Sequence, residues 1–87
     1  MLLNYTKNFL KNYNKRIAGN KMLDKKFQKR LQLFLQNPKT PLLKDHKLTG
    51  AKKKLRSFSI SGDIRVIYYQ EKERIFLFDI GTHNQVY

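Results

Sequence analysis

The last third of the chain, residues 53–87, restricts the choice of fold more than any other stretch. Leu55–Ile60 alternates Arg56, Phe58 and Ile60 against Leu55, Ser57 and Ser59. That is the two-residue period of a strand with unlike faces. Ile64–Tyr69 and Ile75–Ile80 are rich in β-branched and aromatic residues and contain neither proline nor glycine. Ser61-Gly62 and Glu71-Lys72-Glu73 separate the three runs, and such polar residues favour turns. The pattern predicts an antiparallel meander. Arg56, Asp63, Arg65 and His83 lie among its apolar residues, a concentration of chemically able side chains on one small sheet.

Upstream the period changes. Met1–Tyr5 reads as extended, and Thr6 is placed to cap a helix. Phe9, Leu10, Tyr13 and Ile17 follow at helical spacing, with Lys7, Lys11, Lys15 and Arg16 between them. Gly19-Asn20 ends this helix. A longer one carries Met22, Leu23, Phe27, Leu31, Phe34 and Leu35, with Lys25, Lys26, Lys29 and Arg30 mostly off the stripe. Asn37-Pro38 ends it, because the residue before proline is pushed out of the helical region. Both apolar stripes are expected to pack on the sheet. The stretch 38–51, with two prolines and a glycine, is expected to be irregular, pinned to the core by Leu42, Leu43 and Leu48. It carries His46 and leads through Lys52, Lys53 and Lys54 into the meander. Two helices followed by three strands, with a candidate first strand ahead of them, make a single α+β domain over residues 1–87.

Charge narrows the partners. Nineteen Lys and Arg against six Asp and Glu give +13 on 87 residues. So dense a positive field favours polyanions. The basic residues are interleaved with 40% hydrophobic residues, as in a folded domain rather than a basic tail. A nucleic-acid partner is the first expectation and an acidic protein partner a compatible second. Without cysteine, disulfides and thiolate metal sites are excluded. Two histidines without His-x-x-x-His spacing do not suit structural zinc. No apolar run approaches the ~20 residues of a membrane span, so a cytosolic location is expected.

His, Asp and Arg are the parts needed to cleave RNA through its own 2′-hydroxyl without a metal. A base takes the 2′ proton, cations hold the phosphorane, and an acid protonates the departing 5′-oxygen. An imidazole, with an ordinary pKa of about 6.5, serves in either role near neutral pH. Arginine forks match phosphate oxygens two at a time. His46 in the loop, Asp63 at the hairpin and His83 just beyond the last strand are the acid–base candidates. With Ser61-Gly62 as the turn, Arg56 and Arg65 are expected near cross-strand opposition, where a bound phosphate would relieve their repulsion. Tyr87 is placed to stack on a base.

The runs LKDHKLTG, LRSFSISGDIRVIYY and IFLFDIGTHNQVY resemble the RelE/ParE superfamily of bacterial toxins, most nearly its YafQ-like mRNA interferases, over essentially the whole chain. The resemblance implies a compact microbial ribonuclease-like fold, with two helices against a small, curved, mainly antiparallel sheet. It implies cleavage of mRNA in the ribosomal A site, leaving a 2′,3′-cyclic phosphate and a 5′-hydroxyl, with no cofactor. The branch's catalytic residues fall on His46, Asp63 and His83, and its C-terminal aromatic falls on Tyr87. Arg65 falls on a phosphate-binding arginine and Arg56 on a basic position. Lys52, Lys53 and Lys54 are expected to add RNA contacts. Ser59 and Ile64 stand where a branch member has a histidine and a tryptophan. The implied partner is a small antitoxin that reaches operator DNA on the toxin's behalf. A ParE-like inhibitor of DNA gyrase would share the fold without needing the His46, Asp63 and His83 trio. A non-catalytic RNA-binding module is the remaining alternative.

Overall fold

The structure, a computed structural model, describes residues 2–50 and 54–87. Among them the chain runs β1 (Leu2–Tyr5), α1 (Lys7–Arg16), α2 (Lys21–Gln36), a 3-10 turn at Pro41–Leu43, β2 (His46–Lys47), β3 (Arg56–Ser59), β4 (Ile64–Glu71), β5 (Arg74–Thr82) and α3 (His83–Val86). The sheet order is β1-β5-β4-β3-β2, parallel only between β1 and β5. The predicted α+β meander is present. The candidate first strand is β1, whereas the two-residue β2 and the third helix are absent from the sequence reading. No helix among the described residues is long and apolar enough to cross a membrane.

Local chemistry fixes the helix ends. Thr6 stays extended and its Oγ1 accepts from the Phe9 amide at 3.1 Å. Asn20 does the same for α2, accepting from Leu23 N at 3.1 Å, with Asp24 in the first turn, where the helix dipole favours a carboxylate. Tyr13 donates to Asp24 Oδ1 at 2.5 Å and ties the two helices together. That bond, then burial, pushes the phenol pKa up to about 12.

Phe9, Ile17, Phe27, Leu31 and Phe34 from the helices meet Phe58, Ile60, Val66, Tyr68, Ile75, Leu77 and Ile80 from the sheet. Phe34 stacks on Phe58 at 4.5 Å and meets the edge of Tyr68 at 4.7 Å. Three members of the predicted stripes, Leu10, Met22 and Leu35, are instead exposed. Of the loop leucines, Leu43 is buried, Leu48 half-buried and Leu42 exposed.

Two features of β5 set up the site. Its inward residues are Ile75, Leu77 and then Ile80, which breaks a strict alternation. A register shift accounts for it: Tyr68 faces Leu77 while Ile67 faces Asp79, leaving Phe78 as the extra residue of a bulge. Beyond Leu77, where β1 ends, α1 takes over the open edge. Thr6 N bonds Leu77 O at 3.1 Å, Asn8 Nδ2 bonds Phe78 O at 2.8 Å and Arg16 Nη1 bonds Ile80 O at 2.9 Å. Carbonyls that would otherwise invite another strand are thus used up.

Candidate active site

His46 sits on the short edge strand β2, exposed and paired with Ser57 of β3. The nearby Lys44 adopts a left-handed conformation (φ 49°), which turns the chain back so that His46 Nδ1 lies 2.9 Å from Lys44 O. A carbonyl only accepts, so Nδ1 carries the proton. In the neutral imidazole Nε2 is then the free base. Asp45, between them, points the other way. Its side chain is only 7% exposed. Arg56 Nε and Nη2 donate to its Oδ1 at 2.9 and 2.6 Å, and the Tyr68 hydroxyl donates to Oδ2. Burial first, and that bond second, push the Tyr68 phenol above its ordinary pKa.

This corrects the expected pairing of the two arginines. Arg56 faces Tyr68 and Arg65 faces Ser59. A two-residue turn at Ser61-Gly62 would set Phe58 opposite Arg65; the turn runs through Asp63, which moves the register by one, and Arg65 lies against Ser59, three residues along β3 from Arg56. Because 56 and 65 then have opposite parity, they also lie on opposite faces of the sheet. Arg56 shares the helix-covered side with Phe58 and Tyr68 and is engaged by Asp45.

At the other end of the sheet, β5 turns directly into α3. Thr82 Oγ1 accepts from Gln85 N at 3.3 Å, and Gln85 Oε1 accepts from Thr82 N at 2.8 Å, a reciprocal capping box. The turn is tight against Gly81: a Cβ there would come within 2.6 Å of Gln85 Oε1 and 2.8 Å of Arg16 Nη1. Val86 is buried and holds the helix down. His83 and Tyr87 are exposed, their rings edge to face at 4.3 Å. The Arg65 guanidinium lies 6.0 Å from the Tyr87 ring centroid, within cation–π range. Arg65 Nε is buried and makes no hydrogen bond among the described residues, a donor with unused capacity near the Tyr87 ring.

Ladder pairs place these groups on one face. His46 faces Ser57, Ser57 faces Ile67, Ser59 faces Arg65 and Arg65 faces Gly81, so all share the side away from α2. Two strand spacings and one two-residue step separate His46 from Arg65, about 12 Å between Cα atoms. Asp63 is exposed just before Ile64, which faces Thr82. Asp63 and His83 are therefore the next residues out at the same end of the ladder. Lys54 is exposed; Lys52 and Lys53 lie outside the described residues. No cluster of three or more metal-ligating side chains occurs among the described residues.

Asp45 and α3 are the functional parts that sequence reasoning misses. The Thr-x-x-Gln spacing of 82–85 is a capping-box signal and is legible in the chain. Nothing in the sequence marks Asp45 as buried, since its partners lie 11 and 23 residues away.

The family described as the bacterial toxin of type II toxin-antitoxin system, YafQ, matches residues 1–87. No curated protein sequence matches the chain. A copper-bound variant of a toxin from Helicobacter pylori is 25% identical, with TM-score 0.79 over 100% of this chain and 99% of the other. YafQ of the E. coli DinJ-YafQ complex is 22% identical, with TM-score 0.79 over 98% and 96%. The YoeB/ParE toxin from Agrobacterium tumefaciens is 19% identical, with TM-score 0.80 over 95% and 99%. The last two likenesses concern the fold, whereas the family match spans the full sequence: the chain belongs to the YafQ family of toxins of type II toxin–antitoxin systems.

Proposed function

We propose that the chain is an endoribonuclease that cuts mRNA on the translating ribosome. The observation that carries the reading is the shared face: an imidazole with a free Nε2, an arginine with an unused buried donor, and a second imidazole at the far end. His46 Nε2 takes the proton of the 2′-hydroxyl, and the freed oxygen bonds to phosphorus. The bond from phosphorus to the 5′-oxygen breaks as His83, in its protonated form, gives that oxygen a proton. The products are a 2′,3′-cyclic phosphate and a 5′-hydroxyl. Arg65 holds the phosphorane oxygens, with Tyr87 as stacking surface for an adjoining base. Asp63 is the other candidate for the 2′ proton. Arg56 is left out of the phosphate grip, because its guanidinium is committed to Asp45.

The exposed lysines of α1 and α2, Lys7, Lys11, Lys15, Lys25, Lys26 and Lys29, are assigned to ribosomal RNA. Binding through them falls steeply with salt, and a nearly flat response between low and physiological salt would rule them out. The partner that silences the toxin is an antitoxin, as DinJ is solved with the E. coli relative. The test is primer extension on an mRNA under translation, with and without the protein. Codon-linked cuts that vanish when translation is blocked are expected. Intact mRNA together with stalled DNA gyrase would replace this reading with the gyrase one, which the fold shared with a YoeB/ParE toxin keeps in view.

A further inference from the structure

We infer that Asp45, Arg56 and Tyr68 form a register pin whose purpose is to keep His46 on the face of the sheet away from α2. Why His46 matters rests on the proposed reaction; the pin itself rests on geometry. β2 has two residues and two ladder pairs, His46 with Ser57 and Lys47 with Arg56. So short an edge strand cannot define its own register. A slip of one residue exchanges the faces, which would turn His46 toward the helix side and present Asp45 or Lys47 in its place.

The ion pair forbids that slip. Asp45 has the same parity as Lys47, so its carboxylate lies on the side of Arg56 and Tyr68 only in the observed register. Both oxygens are occupied there, Oδ1 by Arg56 and Oδ2 by Tyr68. Any slip would leave a nearly buried carboxylate unpaired, a costly state. Fixing register is also the best-attested use of a buried ion pair, whose net contribution to stability is often small. One more bond continues the ladder outward, Leu48 N to Leu55 O at 3.0 Å. The left-handed Lys44 and its carbonyl bond to His46 Nδ1 complete the clamp on the inward side. Asp45, Arg56 and Tyr68 are thus positioning residues, touching no substrate.

The experiment is 15N NMR of the imidazoles in the full chain. In the wild type, His46 is expected to show a protonated Nδ1 and a pyridine-like Nε2 in its neutral form. In Asp45→Asn and Tyr68→Phe the two nitrogen shifts are expected to converge, and protection of the Leu48 amide to fall about tenfold or more. Asp45→Asn alone strands Arg56 and can weaken the fold as well as the register. The double variant Asp45→Leu/Arg56→Met removes both charges together and separates the two effects: it is expected to give the same converged shifts in a folded protein. Ribosomal cleavage by these variants is expected to lose about 10²-fold in kcat with KM unchanged. Variants that keep one tautomer and full Leu48 protection overturn the pin even if the wild type cleaves mRNA. Converged shifts in a protein that never cleaves mRNA uphold the pin and remove the nuclease reading instead.

Discussion

The two ends of the candidate site are held by opposite means. His46 rests on a two-residue strand whose position depends on side chains: a carboxylate shared by Arg56 and Tyr68, far apart in sequence. His83 begins a helix whose position depends on backbone and cap: Thr82 and Gln85 bonded to each other, Gly81 leaving room, and Arg16 holding the Ile80 carbonyl. The first arrangement rests on a long-range ion pair, the second mainly on a local cap, with Arg16 as its one named long-range tie. Disturbing one should therefore leave the other in place, and the two ends should respond to different perturbations.

The sharpest way to break this comparison is to remove an imidazole. His83→Ala is expected to lower cleavage about 10²–10⁴-fold, the usual contribution of a general acid or base, as read by primer extension and growth arrest. A variant that cleaves at the wild-type rate removes His83 as the acid. Arg65→Lys keeps the charge but loses the fork. A loss of roughly 10²–10³ in kcat is expected if the guanidinium stabilises the phosphorane. A change confined to KM would make Arg65 a simple ground-state anchor.

Stability variants test the independence of the two ends. Gly81→Ala sets a methyl against Gln85 Oε1 and Arg16 Nη1. Both are the ends of flexible side chains, so they are expected to move aside and open the capping box, at a cost of about 1 kcal/mol, or roughly 4–8 °C in Tm for a domain of this size. The His46 imidazole shifts should stay at their wild-type values; a change there would mean that the two ends are coupled. The smallest effect concerns the bond between the two long helices. Tyr13 has its folded-state pKa raised to about 12, first by its bond to Asp24. A raised pKa favours the protonated form in the folded state, so this stabilisation is complete below about pH 10, the ordinary tyrosine value, and is lost as pH rises through about 12. Thermal melts of wild type and Tyr13→Phe should differ by a few degrees at pH 8 and converge toward pH 12.

Much of the site is legible in the sequence because its signals are local. The meander shows in the alternation of 55–60 and in the two β-rich runs after it, and the first helix start shows in Thr6, whereas Asn20, read as a helix end, also caps the second helix. His46, Asp63 and His83 stand out as reactive types beside turns. The bulge at Phe78 is less visible, although the spacing of Ile75, Leu77 and Ile80 already departs from two. Where sequence and structure part, a pairing register is involved. Arg56 and Arg65 look close to opposition around Ser61-Gly62, yet the register sets Arg65 against Ser59, three residues along β3 from Arg56. Leu10, Met22 and Leu35 match the helical period, yet they are exposed, and only tertiary packing decides which members of a stripe reach the sheet.

The sequence by itself determined the two long helices and the meander, their order, the strongly basic charge and the residue types able to move protons and hold phosphate, since each depends on neighbours a few residues away. Tertiary structure alone decided which face each strand residue takes. Face follows register, and register depends on turns, a bulge and an ion pair that join residues distant in the chain. That is why two arginines with equal standing in the sequence end with different tasks: one holds Asp45 behind the sheet, and the other stands in front with a donor to spare.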